Sequence, residues 1–186
     1  MRLQREFYTR DTLIVAKELL GKYIVRKTEK KFLVGKIVET EAYIGPKDRA
    51  SHSFGWKITK RNIAEFLEGG HIYLYLCYGI YWQLNITTSQ NSLPECVLIR
   101  ALEPIDKKIK NLTNGPGKLC QWLELDKSFY GEDLVKSKRI WLEEGEKVSS
   151  SQIVSAKRIG IEYAQEWKEV PWRFYLKDNP FVSTFK

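Results

Sequence analysis

The sequence has 186 residues, a formal net charge of +8, 43% hydrophobic residues and 13% aromatic residues. This length suits one domain that buries a substantial core, and this composition excludes a disordered or fibrous chain. The excess of basic side chains suits a polyanionic partner, although excess lysine often serves solubility alone. The most apolar stretch, residues 72–82, is well short of the ~20 residues of a membrane helix, so we expect no membrane contact.

The cysteines and histidines predict neither disulfides nor a metal site. Cys77, Cys96 and Cys120 are odd in number and lack CxxC spacing, and only His52 and His71 accompany them. Because this set does not assemble a zinc motif, we expect no metal and no cofactor. With no secretory leader recognised, we expect reduced thiols and a cytoplasmic location.

The first part of the chain predicts a helix followed by a long strand. Thr9 is the expected cap of a helix over about residues 10–20, and Gly21 is its expected end. Helical spacing turns three of its side chains inward, namely Leu13, Ala16 and Leu20. The strand that follows is predicted over residues 32–43.

A short helix and a hairpin are predicted next. Thr59 is the expected cap of the helix and Gly69–Gly70 its stop, with three inward side chains, Ile63, Phe66 and Leu67. Residues 71–87 predict two tyrosine-rich strands that fold back at Tyr78–Gly79.

The second half of the chain predicts shorter elements. A strand over residues 96–102 ends before Pro104, and a helix begins after Gly115–Pro116–Gly117 with Leu119, Cys120 and Leu123 inward. Further short strands are predicted at residues 139–142 and 173–176. No repeat or linker divides the chain, so we predict an α+β fold with residues 1–186 in a single compact domain.

Charged residues interrupt the apolar faces of two predicted strands. Strict alternation places Glu39 and Glu41 on one face together with Leu33, Ile37 and Tyr43. On the later strand it places Arg100 with Cys96, Leu98 and Leu102. Unpaired buried charges are costly, so these groups are expected to have partners. They form either a structural ion pair or a catalytic carboxylate held beside an arginine.

Four tyrosines lie within nine residues of the predicted hairpin: Tyr73, Tyr75, Tyr78 and Tyr81. Such a hairpin usually serves sheet packing, with its hydroxyls at the surface. Tyr78, however, is predicted at the turn, where a bulky ring has little core to fill and could enter a DNA duplex. Tyr75 is predicted on the opposite face, where it could stack on an unstacked base.

Two other patterns carry weaker functional alternatives. Gly115 to Lys118 could present backbone amides to a phosphate, or could simply begin a helix. Cys77 and His52 could form a Cys–His hydrolase pair, although a cysteine in an apolar strand usually belongs to the core.

A series of motifs runs along nearly the whole chain. In chain order they are residues 35–45 (GKIVETEAYIG), 50–53 (ASHS), 59–62 (TKRN), 73–81 (YLYLCYGIY) with Asn85, 97–104 (VLIRALEP), 114–119 (NGPGKL) and, more loosely, 158–161 (RIGI) and 171–174 (PWRF). Their content and order resemble the alkyladenine (3-methyladenine) DNA glycosylase family. The resemblance implies a curved antiparallel sheet with flanking helices and a protruding hairpin.

The resemblance also implies roles for seven side chains. Glu41 corresponds to the general base that activates water, and Arg100 to the residue that helps hold this water and the carboxylate. The base pocket would consist of Tyr43, His52, Tyr75 and Asn85, with Asn85 excluding the exocyclic amine of normal guanine. Tyr78 would intercalate from the minor groove.

By this resemblance, the protein is expected to be a monofunctional DNA-3-methyladenine glycosylase without lyase activity. It would extrude alkylated or deaminated purines from double-stranded DNA: 3-methyladenine, 7-methylguanine, hypoxanthine and ethenoadenine. We expect a monomer, located at the nucleoid in a bacterium or in the nucleus of a eukaryote. The alternatives are a non-catalytic nucleic-acid-binding module on the same fold and an acyl- or formyl-transferring enzyme with a similar sheet.

Overall fold

The computed structural model describes residues 1–90, 92–106 and 112–183. Over these residues the sheet strands are β1 (Tyr23–Lys27), β2 (Phe32–Ile44), β3 (Ile72–Cys77), β4 (Tyr81–Thr87), β5 (Glu95–Pro104), β6 (Ile140–Glu143), β7 (Ile153–Ala156) and β8 (Arg173–Leu176). The α-helices are α1 (Arg5–Tyr8), α2 (Thr12–Glu18) and α3 (Pro116–Trp122). Short 3₁₀ segments occupy Gly45–Lys47, Phe54–Trp56, Ile63–Phe66, Lys127–Phe129, Ser150–Gln152 and Glu162–Glu169.

All eight strands join one antiparallel sheet, which confirms the predicted α+β class. The main order is β3–β4–β5–β2–β1–β6. The long strand β2 pairs with β5 from Gly35 to Ile44; its residues 32–36 also pair with β1, and its residues 39–41 also pair with β8. Strand β7 then pairs with β8. The second half of β2 is therefore enclosed between two strands, which fixes its side chains in position.

The main core lies where the α-helices pack on the sheet. Val15 and Ala16 of α2 and Leu119 of α3 are buried in one cluster with Ile37 and Ile99 of the sheet. The antiparallel alternation predicts such a one-sided core. The helix α2 thus holds β2 from the face opposite to the cavity described below.

Two compensating bulges interrupt the pairing of β2 with β5. The register runs from Ile37↔Leu102 to Glu39↔Ala101 and then to Thr40↔Ile99. One extra residue therefore lies in each strand, Val38 in β2 and Arg100 in β5. A bulge reverses the faces to which the following side chains point.

The predicted common faces of these strands are wrong beyond the bulges. Leu33 and Ile37 belong to the main core together with Ala42, so the inward face changes parity within β2. Glu41 and Tyr43 accordingly point away from the core that Leu33 and Ile37 enter. In β5 the same shift puts Leu102 in the main core, whereas Cys96, Leu98 and Arg100 line the cavity. Strict period-two alternation could not anticipate the extra residues.

The first predicted helix is shorter than expected and has a different cap. Helix α2 begins after Asp11, whose carboxylate accepts hydrogen bonds from the backbone N–H groups of Leu13 and Ile14. Thr9 instead ends α1, where its hydroxyl donates to the carbonyl of Arg5. Asp and Thr are both good N-caps. The sequence did not reveal the short helix α1, and because Thr9 follows its last residue, Thr9 cannot also begin α2.

The second predicted helix is only a 3₁₀ turn, and its inward face is wrong. In Ile63–Phe66 the buried residues are Ala64 and Glu65, whereas Ile63 and the following Leu67 are exposed. Thr59 does not cap this turn; its hydroxyl donates to Asn62 Oδ1. A 3₁₀ turn has three residues per turn, so the side-chain directions differ from those of the expected α-helix.

The remaining predicted elements are confirmed with small changes in their bounds. The hairpin, the strand before Pro104, the helix that begins at Pro116 and the two late strands are all present. Strands β1 and β7 were not predicted. No helix among the described residues is long and apolar enough to cross a membrane.

Candidate active site

A cavity of about 620 Å³ opens between the β3–β4 hairpin, strand β5 and the segment around Ile159. Its wall includes six of the seven predicted site residues, namely Tyr43, His52, Tyr75, Tyr78, Asn85 and Arg100. The seventh, Glu41, lies behind this wall. The fold thus brings together all seven side chains from four separate parts of the sequence.

The Glu41 carboxylate is fully buried but is held by groups of the cavity wall. The backbone N–H of Ile159 donates to Oε1 at 2.9 Å, and the Tyr43 hydroxyl donates to Oε2 at 2.9 Å. Arg100 Nη1 lies 3.3 Å from Oε1. All three partners belong to residues that line the cavity. The carboxylate therefore lies immediately behind residues of the cavity wall.

Arg100 bridges two buried carboxylates. Besides Glu41, its Nε lies 3.3 Å from Glu39 Oε1. Burial acts to lower the pKa of Arg100, but Glu41 and Glu39 raise it above its usual range, so the guanidinium stays charged. The Glu39 carboxylate also accepts from Arg173 at 2.9 Å and from the backbone N–H of Ser183 at 2.7 Å. Glu39 is thus tied to Arg173 and Ser183 as well as to Arg100.

Tyr43 is supported from behind by a buried ion pair that the sequence reading missed. The Arg158 guanidinium lies 4.8 Å from the centre of the Tyr43 ring. Its Nη1 and Nη2 donate to the Asp48 carboxylate at 2.5 and 2.9 Å, and both side chains are fully buried. Burial and the Glu41 charge raise the pKa of Tyr43 well above its usual value, so its hydroxyl remains a donor.

Aromatic rings form another wall of the cavity. The His52 ring lies 4.6 Å from the Tyr75 ring, edge to face, and His52 Nδ1 contacts the Tyr73 hydroxyl at 2.7 Å. Burial, with smaller contributions from Arg61 and Lys57, lowers the pKa of His52 to about 4, so the ring is neutral at pH 7. Because His52 Nδ1 is hydrogen-bonded to the Tyr73 hydroxyl, this nitrogen does not pair with Cys77 as a Cys–His hydrolase would require. The Arg61 guanidinium lies 5.2 Å from the Tyr75 ring centre.

A buried polar row completes the wall and contains a residue that sequence reasoning missed. Asn85 Nδ2 donates to the carbonyls of Tyr73 and Gln83, each at 3.2 Å, which fixes the amide. Cys96 Sγ lies 3.9 Å from Asn85 Oδ1 and 3.8 Å from Glu65 Oε1. Glu65 is only 2% exposed. No sequence pattern indicated it, because its turn was expected to direct other residues inward.

The hairpin turn places an exposed tyrosine at the mouth of the cavity. Tyr78 and Gly79 both have positive φ, 53° and 72°, and Ile80 N–H donates to the Cys77 carbonyl at 3.1 Å. Positive φ at both central residues is the mark of a type I′ turn, which two-residue hairpin connections favour. The Tyr78 side chain is 90% exposed. Beside it, Tyr81 packs closely on Gly117, where a Cβ atom would lie 3.0–3.1 Å from the Tyr81 side chain.

Basic side chains also line this mouth. Arg61 donates to the Leu76 carbonyl at 2.8 Å, and Lys118 donates to Asn114 Oδ1 at 3.0 Å. Among the described residues no cluster of histidine, cysteine, aspartate and glutamate has the arrangement of a metal site.

An aromatic-walled cavity of this size, with a buried carboxylate behind it and an exposed tyrosine turn at its mouth, is typical of proteins that take in a base extruded from nucleic acid. A model of the methylpurine-DNA glycosylase family matches residues 6–180. The chain therefore belongs to the methylpurine-DNA glycosylase family.

Full-length relatives agree with this assignment. Proteins of Natranaerobius thermophilus and Clostridium novyi, both named "Putative 3-methyladenine DNA glycosylase", are 45% and 47% identical to this chain. The alignments cover 98% of this chain and 99% and 98% of the two relatives. A relative of Clostridium perfringens with the same name is 45% identical over 98% of the chain.

Proposed function

We propose that this protein is a DNA-repair glycosylase that extrudes an alkylated purine and hydrolyses its bond to deoxyribose. The observation that carries the proposal is the position of Glu41. Its carboxylate is fully buried, yet each of its three described partners belongs to the wall of a cavity fit for one base. The neighbouring buried carboxylate, Glu39, is held in part by Arg173 and Ser183, which do not line the cavity.

The chemistry requires one carboxylate and one water. A purine alkylated at N3 or N7 is cationic, so its glycosidic bond is already weakened and the base can leave without being protonated. Water attacks the sugar carbon, the electron pair of the C–N bond leaves with the base, and Glu41 takes the proton from the water. The negative carboxylate also stabilises the positive charge that develops on the sugar. Many glycosidases acting on ordinary sugars need a second carboxyl group to help the leaving group.

The hydrogen bonds of Glu41 suit this role. Oε1 accepts from Ile159 N–H and faces Arg100, whereas Oε2 accepts only the Tyr43 hydroxyl among the described residues. Each carboxylate oxygen can accept two hydrogen bonds, so Oε2 retains capacity for a water. Arg100 and Tyr43 then act as positioning residues that keep this oxygen in a fixed direction.

The aromatic wall suits the cationic substrate. We propose that the base stacks on Tyr75, with Tyr43 and His52 on its other side. A cation over an aromatic face is attracted by the ring electrons, an advantage that normal purines lack. A neutral His52 avoids repelling the positive base. Neutral lesions lack this attraction and are poorer leaving groups, so we expect them to be released more slowly.

Tyr78 is proposed to fill the space that the extruded nucleotide leaves in the duplex. Unstacking a base costs a few kcal/mol, and a ring stacked in the gap offsets part of that. Tyr78 suits this use because the turn holds it away from the core. Basic side chains such as Arg61 and Lys118 would contact phosphates, so DNA binding should weaken as salt rises.

Release of free base tests the proposal. Incubation with methylated DNA followed by chromatography is expected to yield 3-methyladenine and 7-methylguanine. Tight binding without base release would favour the non-catalytic module instead. We also propose that the enzyme has no lyase activity, because the proposed hydrolysis uses an activated water and no lysine as the nucleophile. Borohydride trapping should then give no covalent DNA adduct.

A further inference from the structure

Glu65 is a buried carboxyl group of the cavity wall that the proposed hydrolysis does not use. It lies in the turn Ile63–Phe66, packed between strand β5 and the segment that carries His52. Its described contacts are Asn62 Nδ2 at 3.4 Å, Cys96 Sγ at 3.8 Å and the Ser53 side chain. Among the described residues no lysine or arginine forms an ion pair with it. A carboxyl group buried among neutral partners favours the protonated state.

Of the titratable groups packed around this position, Glu65 is the one whose pKa lies near neutrality. Burial raises its pKa to about 7, and the hydrogen bonds from Ser53, Asn62 and Cys96 only partly oppose this. The Cys96 thiol on β5 and the Tyr73 hydroxyl on β3 have pKa values raised by burial and then by Glu65. The pKa of Tyr130 is also raised, chiefly by burial. These three groups stay neutral wherever Glu65 changes charge.

Glu65 also lies beside the residue expected to face the edge of the base. Cys96 contacts Glu65 on one side and Asn85 on the other, so the three side chains form a continuous row along the cavity wall. The Asn85 amide is fixed by two backbone carbonyls. A base that reaches Asn85 with one atom of its edge therefore meets Glu65 close by.

We propose that Glu65 is a specificity-determining residue that reads the edge of the extruded base and selects between neutral and cationic purines by its own protonation state. This inference rests on the proposed glycosylase function. A protonated carboxyl has one O–H donor and one carbonyl acceptor. It matches a lactam edge such as that of hypoxanthine, accepting from N1–H and donating to O6.

The ionised form of Glu65 has the opposite preference. A carboxylate only accepts hydrogen bonds, so it keeps the bond from the N1–H of a lactam but repels its O6, to which it can no longer donate. For a cationic base that carries an amino group, such as 3-methyladenine, the same carboxylate accepts from the amine and balances the charge. The two protonation states therefore favour different classes of lesion within one cavity.

The test is the ratio of single-turnover release rates of hypoxanthine and 3-methyladenine, measured from pH 5.5 to 8 with enzyme-free release subtracted. Taking the ratio cancels the water-activation step, which both substrates share. With a pKa of about 7, the protonated fraction falls from about 0.9 at pH 6 to about 0.1 at pH 8. The wild-type ratio should therefore fall at least about tenfold over this range.

Two variants and one control show whether the pH dependence of the ratio comes from Glu65 or from a general effect of pH on the release rates. Glu65→Gln keeps one donor and one acceptor, so its ratio should stay near the wild-type value at low pH and be independent of pH. Glu65→Met should give a low ratio at every pH. The control is Glu68→Gln, an exposed carboxyl three residues along the chain, which should retain the wild-type profile.

The outcomes distinguish this inference from the proposed function. A wild-type ratio that stays flat with pH would overturn the role of Glu65 while leaving the glycosylase assignment intact. This wild-type measurement stands even if a variant fails to fold. Failure of the wild type to release any base would overturn both.

Discussion

Glu39 and Glu41 share one guanidinium, with Arg100 Nε 3.3 Å from Glu39 and Nη1 3.3 Å from Glu41. The two glutamates are equally buried and lie two residues apart on one strand. Only Glu41 is held by residues of the cavity wall on every described contact; Glu39 is tied to Arg173 and Ser183 as well. This difference makes them a matched pair for separating chemistry from structure.

Glu41→Gln should abolish base release while binding to lesion-containing DNA is retained. The amide keeps the volume of the side chain but accepts no proton, and a positioned general base contributes roughly 10²–10⁴-fold to a rate. Single-turnover excision and a binding titration measure the two effects separately. Glu39→Gln serves as the control, with lower stability but release within about tenfold of wild type, since it does not supply the base. Appreciable turnover by Glu41→Gln would remove Glu41 from its proposed role.

Tyr43→Phe should slow excision without weakening DNA binding. The change deletes the hydroxyl that donates to Glu41 Oε2 but keeps the ring that packs over Arg158. A hydrogen bond to a charged group contributes about 1.5–3 kcal/mol, so a loss of roughly 10- to 100-fold in rate is expected. Tyr175→Phe, on β8 and outside the cavity wall, is the control and should behave as wild type. An unchanged rate in Tyr43→Phe would show that the hydroxyl does not orient the carboxylate.

Tyr78→Ser should weaken binding to damaged DNA and leave folding stability unchanged. The ring is 90% exposed and packs in no core cluster, so the folded protein loses little. Stacking on a base contributes about 1–3 kcal/mol, which corresponds to a loss of roughly 5- to 150-fold in affinity. Fluorescence anisotropy with a lesion duplex measures the affinity, and thermal unfolding measures the stability. Tyr78→Phe, which keeps the ring, should retain wild-type binding; equal affinities for Tyr78→Ser and wild type would argue against intercalation.

Asn85→Ser should relax discrimination against undamaged guanine. The shorter side chain withdraws the amide that two backbone carbonyls now fix in the cavity wall, and space opens for an exocyclic amine. Release of guanine from intact G:C and G:T duplexes should rise, while release of 3-methyladenine changes little. Guanine release that stays at the background of the enzyme-free reaction would exclude this steric role.

Glu65 should make the free energy of unfolding depend on pH. Its pKa is about 7 when folded, against 4.5 as its ordinary value, so between these values the folded chain binds more protons than the unfolded chain. The stabilisation is therefore complete below pH 4.5 and is lost as pH rises to 7, by on the order of 3 kcal/mol.

Urea unfolding of wild type and Glu65→Gln at pH 5 and pH 8 measures this contribution. The variant should be the less sensitive of the two to the change in pH, because its amide does not titrate. Glu29→Gln, at an exposed position, should show the same pH dependence as wild type. An equal change in the free energy of unfolding between pH 5 and pH 8 for wild type and Glu65→Gln would mean that Glu65 of the folded protein is ionised over this whole range.

The sequence by itself determined the order of the elements and the residue types of the site. Periodicity and turn residues suffice for β2, for the hairpin at Tyr78–Gly79 and for the helix that begins at Pro116, because these signals are local. The sequence also revealed Glu39, Glu41 and Arg100 as charges within apolar strands. The structure places Arg100 in contact with both glutamates.

Only the tertiary structure decided which way these charges point. The bulges at Val38 and Arg100 change the parity of both strands, and they depend on how two distant segments pair. The same is true of the ion pair between Asp48 and Arg158, 110 residues apart, and of Glu65, whose burial follows from a 3₁₀ turn. Burial and long-range pairing are properties of the packed chain, so residues whose roles depend on them leave no local pattern to read.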